Sequence, residues 1–202
     1  MKVALIGATG NAGSRILAEL RRHEHTVRAL VRHPERVQAQ DGVTAYGVDA
    51  NDVQDLAVAL GGAEAVISSV KFKDTNTAGL IEAVRRACVP RYLVVGGSGS
   101  LEIAPGQLEV DRPDFPPQAH LNSLKGGEFL QQLRDSDLDW TYLSPSRSFF
   151  AGERTGSFRL GGDQMLFDSE GKSRISYEDY AVALVNELEQ PRHSRTRFTV
   201  GY

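Results

Sequence analysis

Cysteine is nearly absent from this chain of 202 residues, and tryptophan and methionine are scarce, with one and two copies. A single cysteine excludes an internal disulfide. Cys88 stands in a helical run with Leu80, Ile81, Val84 and Ala87, which predicts a small buried hydrophobe rather than a nucleophile. An excess of either charge is also missing. Twenty-three Lys and Arg against 26 Asp and Glu leave a formal net charge of −3, which supplies no basic field for nucleic acid. No run of about 18 apolar residues offers a membrane-spanning helix. The first residues enter an apolar stretch at once, without the charged region, apolar core and cleavage site of a leader. The expectation is a soluble, cytoplasmic protein with no membrane or nucleic-acid partner. Repeats and low-complexity tracts are lacking too.

What is present is 41% hydrophobic residues over a length that suits one well-packed domain, residues 1–202. Apolar runs of strand length alternate with segments of helical period, which predicts βαβ units around a parallel sheet, an α/β fold. Strands are expected near residues 2–6, 26–31, 43–48, 64–70, 91–96, 139–143 and 195–200, with helices between most of them. One helix is expected from about His120 to Ser136, with Leu124, Phe129, Leu130 and Leu133 as its apolar stripe. Glycines at 152, 156, 161, 162 and 171 separate short runs and predict one or two hairpins beyond the sheet. Ser176 and Asp179 then resemble a capping box ahead of a last helix, which gives Asp179 a structural part.

The most informative stretch is KVALIGATGNAGS, residues 2–14. A strand runs into a loop carrying Gly7, Gly10 and Gly13, and an amphipathic helix with Ile16, Leu17 and Leu20 at helical spacing follows directly. Glycines so placed suit a tight crossover, and the free N–H groups at the helix start, from Asn11, Ala12 and Gly13 onward, form a site for a pyrophosphate. Arg32 ends the second strand, where NAD sites usually carry an acid, and its fork of donors favours a 2′-phosphate and hence NADP over NAD. A solvated arginine is the plainer alternative. Ser68, Ser69 and Val70, and Gly96 one strand later, stand at strand ends, where open parallel sheets bind ligands.

GATGNAG behind a strand resembles the short-chain dehydrogenase/reductase superfamily in its extended and atypical branches. The whole opening, MKVALIGATGNAGSRILAEL with TVRALVR after it, is similar to the NmrA-like and NADH-flavin-reductase-like group of NAD(P)H-binding proteins, a group that also resembles biliverdin reductase B. The resemblance implies a single Rossmann-type, doubly wound parallel sheet with a small C-terminal extension on the substrate side. It sets Thr9 and Asn11 beside the cofactor phosphates, Asp49 with Ala50 beside the adenine, and Pro145 and Ser146 against the nicotinamide. Asp49 as a helix cap is the alternative. The resemblance also gives Ser98 the part of a catalytic hydrogen-bond donor and Lys125 that of the lysine in a Tyr-x-x-x-Lys pair.

The tyrosine of that pair is missing, because Leu121 stands four residues before Lys125. A positioned phenol is what exchanges a proton with a carbonyl or alcohol oxygen in the superfamily, so ordinary alcohol dehydrogenation and sugar epimerisation both lose their donor. His120 is one residue away, and Arg147, Phe149 and Phe150 could face a flat substrate. The expectation is an NAD(P)H-dependent reductase, monomer or homodimer, that prefers NADPH and passes hydride to FMN, FAD or a similar planar acceptor. The alternative is a regulatory NAD(P) sensor similar to NmrA, without turnover. A nucleotide-sugar epimerase or dehydratase comes third, since the C-terminal extension is only about two dozen residues.

Overall fold

A strand covered on both faces must be apolar along its length, and β1 (Lys2–Ile6) is buried at every residue after the first. Its side chains alternate between two layers, Val3 and Leu5 into one and Ala4 and Ile6 into the other. The computed structural model describes residues 1–202 and repeats this burial in the central strands of the sheet, while its edge strands are partly exposed. In order the elements are β1, α1 (Asn11–Arg22), β2 (Thr26–Val31), β3 (Val43–Gly47), α2 (Val53–Leu60), β4 (Ala65–Ser68), α3 (Thr77–Arg86) and β5 (Tyr92–Val95). A long loop with two short strands, β6 (Glu102–Ala104) and β7 (Gln107–Leu108), leads to α4 (Pro117–Arg134) and β8 (Trp140–Pro145). Then come β9 (Ser148–Phe150), β10 (Arg159–Gly161), β11 (Arg174–Ser176), α5 (Tyr177–Glu189) and β12 (Thr196–Gly201).

Eight strands form one sheet in the order β10-β12-β8-β5-β4-β1-β2-β3, parallel except for β10 at its edge. From β1 the chain winds outward first through β2 and β3, then through β4, β5 and β8 on the other side. The strand order therefore reverses at β1, and the loop after β1 opens at that switch point. Helices α1 and α5 cover one face, where Ile16, Leu20, Leu184 and Leu188 pack on Val3, Leu5 and Phe198. Helices α2, α3 and α4 cover the other, where Leu56, Leu80 and Phe129 share a cluster with Val66 and Trp140 of the sheet. Each such side chain, removed from water, contributes about 1.5–3 kcal/mol. The fold is the parallel α/β sheet that the alternation predicts, doubly wound as the resemblance implies.

Several local expectations are corrected. Cys88 lies two residues beyond α3, exposed and in the left-handed region (φ 51°), because the helix stops at Arg86. Helix α4 begins at Pro117, where a first-turn proline costs no hydrogen bond, and Leu124 is 42% exposed; the buried stripe is Gly126, Phe129, Leu130 and Leu133. The glycine-rich segment forms no local hairpin. Instead β10 pairs antiparallel with β12, and β11 pairs in parallel with β9. Ser176 does cap α5, accepting from the Asp179 N–H at 3.0 Å. The buried Asp179 carboxylate accepts from Thr155 Oγ1, the Gly156 N–H and the Tyr202 hydroxyl, so it anchors the loop ahead of the helix instead of closing a box. No helix is long and apolar enough to cross a membrane.

Candidate functional site

At the switch point lies a groove of about 390 Å³. Its floor is the glycine loop after β1, and its sides are the ends of β2, β3 and β4. The three loop glycines are there for different reasons. Gly7 has φ +82°, and a Cβ on it would sit 2.1 Å from the Ser69 carbonyl oxygen. A Cβ on Gly13 would sit 2.1 Å from the Gly7 carbonyl oxygen, so this glycine lets α1 press onto the strand. Gly10 is different. Its backbone is ordinary (φ −73°, ψ 170°), a Cβ would come no closer than 3.4 Å to any atom, and the residue lines the groove. Nothing inside the chain requires a glycine there.

Behind Gly10 the N–H groups of Asn11, Ala12 and Gly13 have no acceptor in the chain, since α1 carries no side-chain cap and its first backbone bond is Ser14 N–H to Gly10. A cradle without side chains, faced by unpaired donors at a helix N-terminus, fits a pyrophosphate. Arg32 stands on the rim, exposed, and makes no hydrogen bond or ion pair, although a guanidinium commonly has a carboxylate partner. Across from it, the Asp74 carboxyl is held below its usual range by a hydrogen bond from Lys73, with the charges of Lys71 and Arg32 adding to the effect.

The adenine-side expectations come together in this groove: Asp49, Ala50, Ser69 and Val70 line it with Gly7, Thr9 and Arg32. Helix α2 is capped by Asp52, which accepts from the N–H groups of Gln54 and Asp55. The Asp49 carboxylate accepts only from the Asn51 N–H, at 2.9 Å, through one oxygen, which leaves the other without a donor in the chain. Asn51, which lines the groove and does not cap the helix, ties the two sides together by donating to the Asp74 carbonyl and accepting from the Asn76 N–H. Ser68 does not join them. Its side chain is fully buried and bonded to the Tyr92 hydroxyl at 2.9 Å, because β4 still holds it in register with Val94 of β5.

On the other side of the switch point the sequence expectations are met less completely. Ser98 is half-buried on the loop after β5, and its hydroxyl makes no hydrogen bond within the chain. That loop is fixed to α4 through Tyr142, whose hydroxyl accepts from the Gly97 N–H at 3.0 Å and donates to the Gly126 carbonyl. The glycine at 96 makes room for the Tyr142 ring. Pro145 and Ser146 are buried, and the Ser146 hydroxyl donates to the Val200 carbonyl on β12. Lys125 is exposed and paired with Glu128 at 2.7 Å, outside the groove. Leu121 is 55% exposed. His120 packs edge-on against Phe115 in a shallow pocket of the long loop.

Phe149 packs against Tyr177 and Tyr180 rather than facing solvent, and Phe150 is the exposed member of the pair. Sequence reasoning missed Glu109. This carboxylate is 2% exposed and takes both arms of the Arg147 guanidinium at 2.8 Å each, with Arg112 as a second cation. It clasps the long loop to the turn after β8. No pattern signals a bond between residues 38 positions apart.

An open parallel sheet with a glycine-floored groove at its switch point defines a Rossmann-type nucleotide-binding protein. Residues 7–191 match the family described as NAD(P)H-binding, and the chain belongs to that family. It is similar to a Bacteroides thetaiotaomicron protein provisionally described as an epimerase, at 38% identity and TM-score 0.95 over 100% of this chain and 96% of that one. It is also similar to a Streptococcus pneumoniae protein provisionally described as an NADH-flavin reductase, at 33% identity and TM-score 0.82 over 100% and 99%. The NAD(P)H azoreductase of Xenophilus azovorans is 27% identical over 98% of this chain and 67% of its own length. The chain is thus a member of the NAD(P)H-binding family, with reductases among the proteins it resembles.

Proposed function

We propose that this protein is an NADPH-preferring reductase that passes hydride to a flavin or a similar planar acceptor. One combination carries the reading: a nucleotide groove with an unpaired arginine at its rim, beside a substrate side where Leu121 stands in place of a phenol. Bound NADPH supplies a hydride, and a flavin accepts one mainly through positioning and exclusion of water, with no protein acid essential to the step. In this scheme the N–H groups of Asn11, Ala12 and Gly13 hold the pyrophosphate, Asp49 and Ala50 border the adenine, and Arg32 takes the 2′-phosphate. Ser98 keeps its hydroxyl free to donate to the acceptor. Lys125 gives up Glu128, an exposed partner worth about 0–1 kcal/mol, to reach the nicotinamide ribose.

The test is loss of reduced-nicotinamide absorbance from NADPH and from NADH with FMN, FAD, riboflavin, biliverdin and simple quinones as acceptors. Saturable turnover with a flavin, faster with NADPH, is expected. The exposed Leu121 also favours a second reading, an NAD(P) sensor, and nucleotide binding without turnover by any acceptor would replace the reductase with it.

A further inference from the structure

The structure brings up a phenol that the sequence pattern did not show. Of the six tyrosines, Tyr92, Tyr142 and Tyr180 are fully buried, and the latter two donate to the carbonyls of Gly126 and Leu143. Tyr202 donates to Asp179, and Tyr46 lies beside Arg28 on the edge strand β3. Tyr177 is left. It is the first residue of α5, whose N-terminal turn packs beside that of α1 through an ion pair between Arg15 and Glu178 at 2.9 Å.

The Tyr177 ring is set by Phe149, edge-on with centroids 4.4 Å apart, and the Arg15 guanidinium lies 5.7 Å from its centre. Its hydroxyl oxygen accepts from Asn11 Nδ2 at 3.5 Å, and no group in the chain accepts its proton. A free O–H donor therefore stands at the first residue of α1, next to the open N–H groups of the glycine loop, with a cation over the ring. The groove does not extend to Asn11; the ends of β2, β3 and β4 line it, whereas Tyr177 stands at the start of α5 against Phe149 of β9, the strand that follows β8. A dinucleotide laid across the switch point meets Tyr177 with its nicotinamide half.

We propose that Tyr177 is a cofactor-binding residue whose hydroxyl donates to the nicotinamide-side phosphate of the bound dinucleotide. The assignment rests on the reading of the groove as an NADP(H) site. Tyr177→Phe removes the hydroxyl and keeps the ring against Phe149. Titration calorimetry with NADPH, NADP⁺ and adenosine 2′,5′-bisphosphate tests it. The variant is expected to bind both dinucleotides roughly tenfold more weakly, as for loss of one hydrogen bond to a charged group, and the bisphosphate as tightly as the unchanged protein does. Undiminished dinucleotide binding, or equal losses for dinucleotide and bisphosphate, overturns the assignment. Absence of binding to all three by the unchanged protein overturns the groove reading itself.

Discussion

Alanine substitution at Gly10 and at Gly13, only three residues apart in sequence, separates what the loop does for the fold from what it does for a ligand. In Gly13→Ala the new methyl meets the Gly7 carbonyl oxygen at 2.1 Å, and neither backbone can give easily, since Gly7 donates to the Leu30 carbonyl and Gly13 lies in the first turn of α1. Overpacking of this kind costs about 1–3 kcal/mol, and each kcal/mol lowers the unfolding midpoint of a chain this long by about 2–4 °C. In Gly10→Ala the backbone is already one that alanine adopts, and the nearest atom is 3.4 Å away. The weaker N-cap and the lower unfolded-state entropy change stability in opposite directions by roughly 1 kcal/mol each. Gly10→Ala should therefore melt with the unchanged protein while its methyl stands in the phosphate cradle. Differential scanning fluorimetry with and without NADPH reads both effects. Gly13→Ala is expected to melt several degrees lower, and Gly10→Ala to melt normally and lose the upward shift that NADPH gives. A Gly10→Ala protein that still shows the full NADPH shift would refute the account of the cradle.

Arg32→Ala removes a side chain with no partner in the chain, so its melting temperature should hold while NADPH affinity falls by about tenfold or more and NADH affinity barely changes; equal losses in parallel titrations would remove the 2′-phosphate assignment. Stability should also fall on mild acidification because of His25. Burial, and then the α-amino group of Met1 at 3.2 Å, hold its imidazole below the usual 6.5 against the pull of Glu189. The unfolded chain therefore takes up the proton first, and stability present above about pH 6.5 is lost as pH falls through the folded value. His25→Asn should flatten urea-derived stability against pH in that window, and an unchanged slope would show that other groups set it.

Most of the sheet was legible because its physics is local. A strand buried on both faces must be an apolar run, and every strand expected from such a run is present, with the ends of β4 and β5 one or two residues shorter than expected. The residues that share the groove were legible for the same reason: strand, glycines and helix are contiguous, and Arg32 and Asp49 closely follow consecutive strands. What escaped was set by partners remote in sequence. Ser68 and Ser69 look alike as residues, yet the register with β5 places one in the core and leaves the other at the groove. The pairing of β9 with β11 and the bond from Glu109 to Arg147 join segments more than twenty residues apart, where no periodicity reaches. Tyr177 was hidden in the same way, since only the packing of α5 on α1 brings it to the glycine loop.

The Glu109 clasp has a kinetic consequence. The loop between β5 and α4 is fastened at Gly97 to Tyr142, at Ser100 to Arg197, and at Glu109 to Arg147. On the reductase reading proposed above, an acceptor arriving at this edge would meet a surface already in place, with little ordering of the chain charged against its encounter. Turnover would then not wait on the opening and closing of a flap, and the pace would be set by chemistry or by departure of the oxidised nucleotide. On the same reading, an open shelf held by these three fastenings selects acceptors by flatness more than by outline, and several unrelated planar oxidants are expected to react.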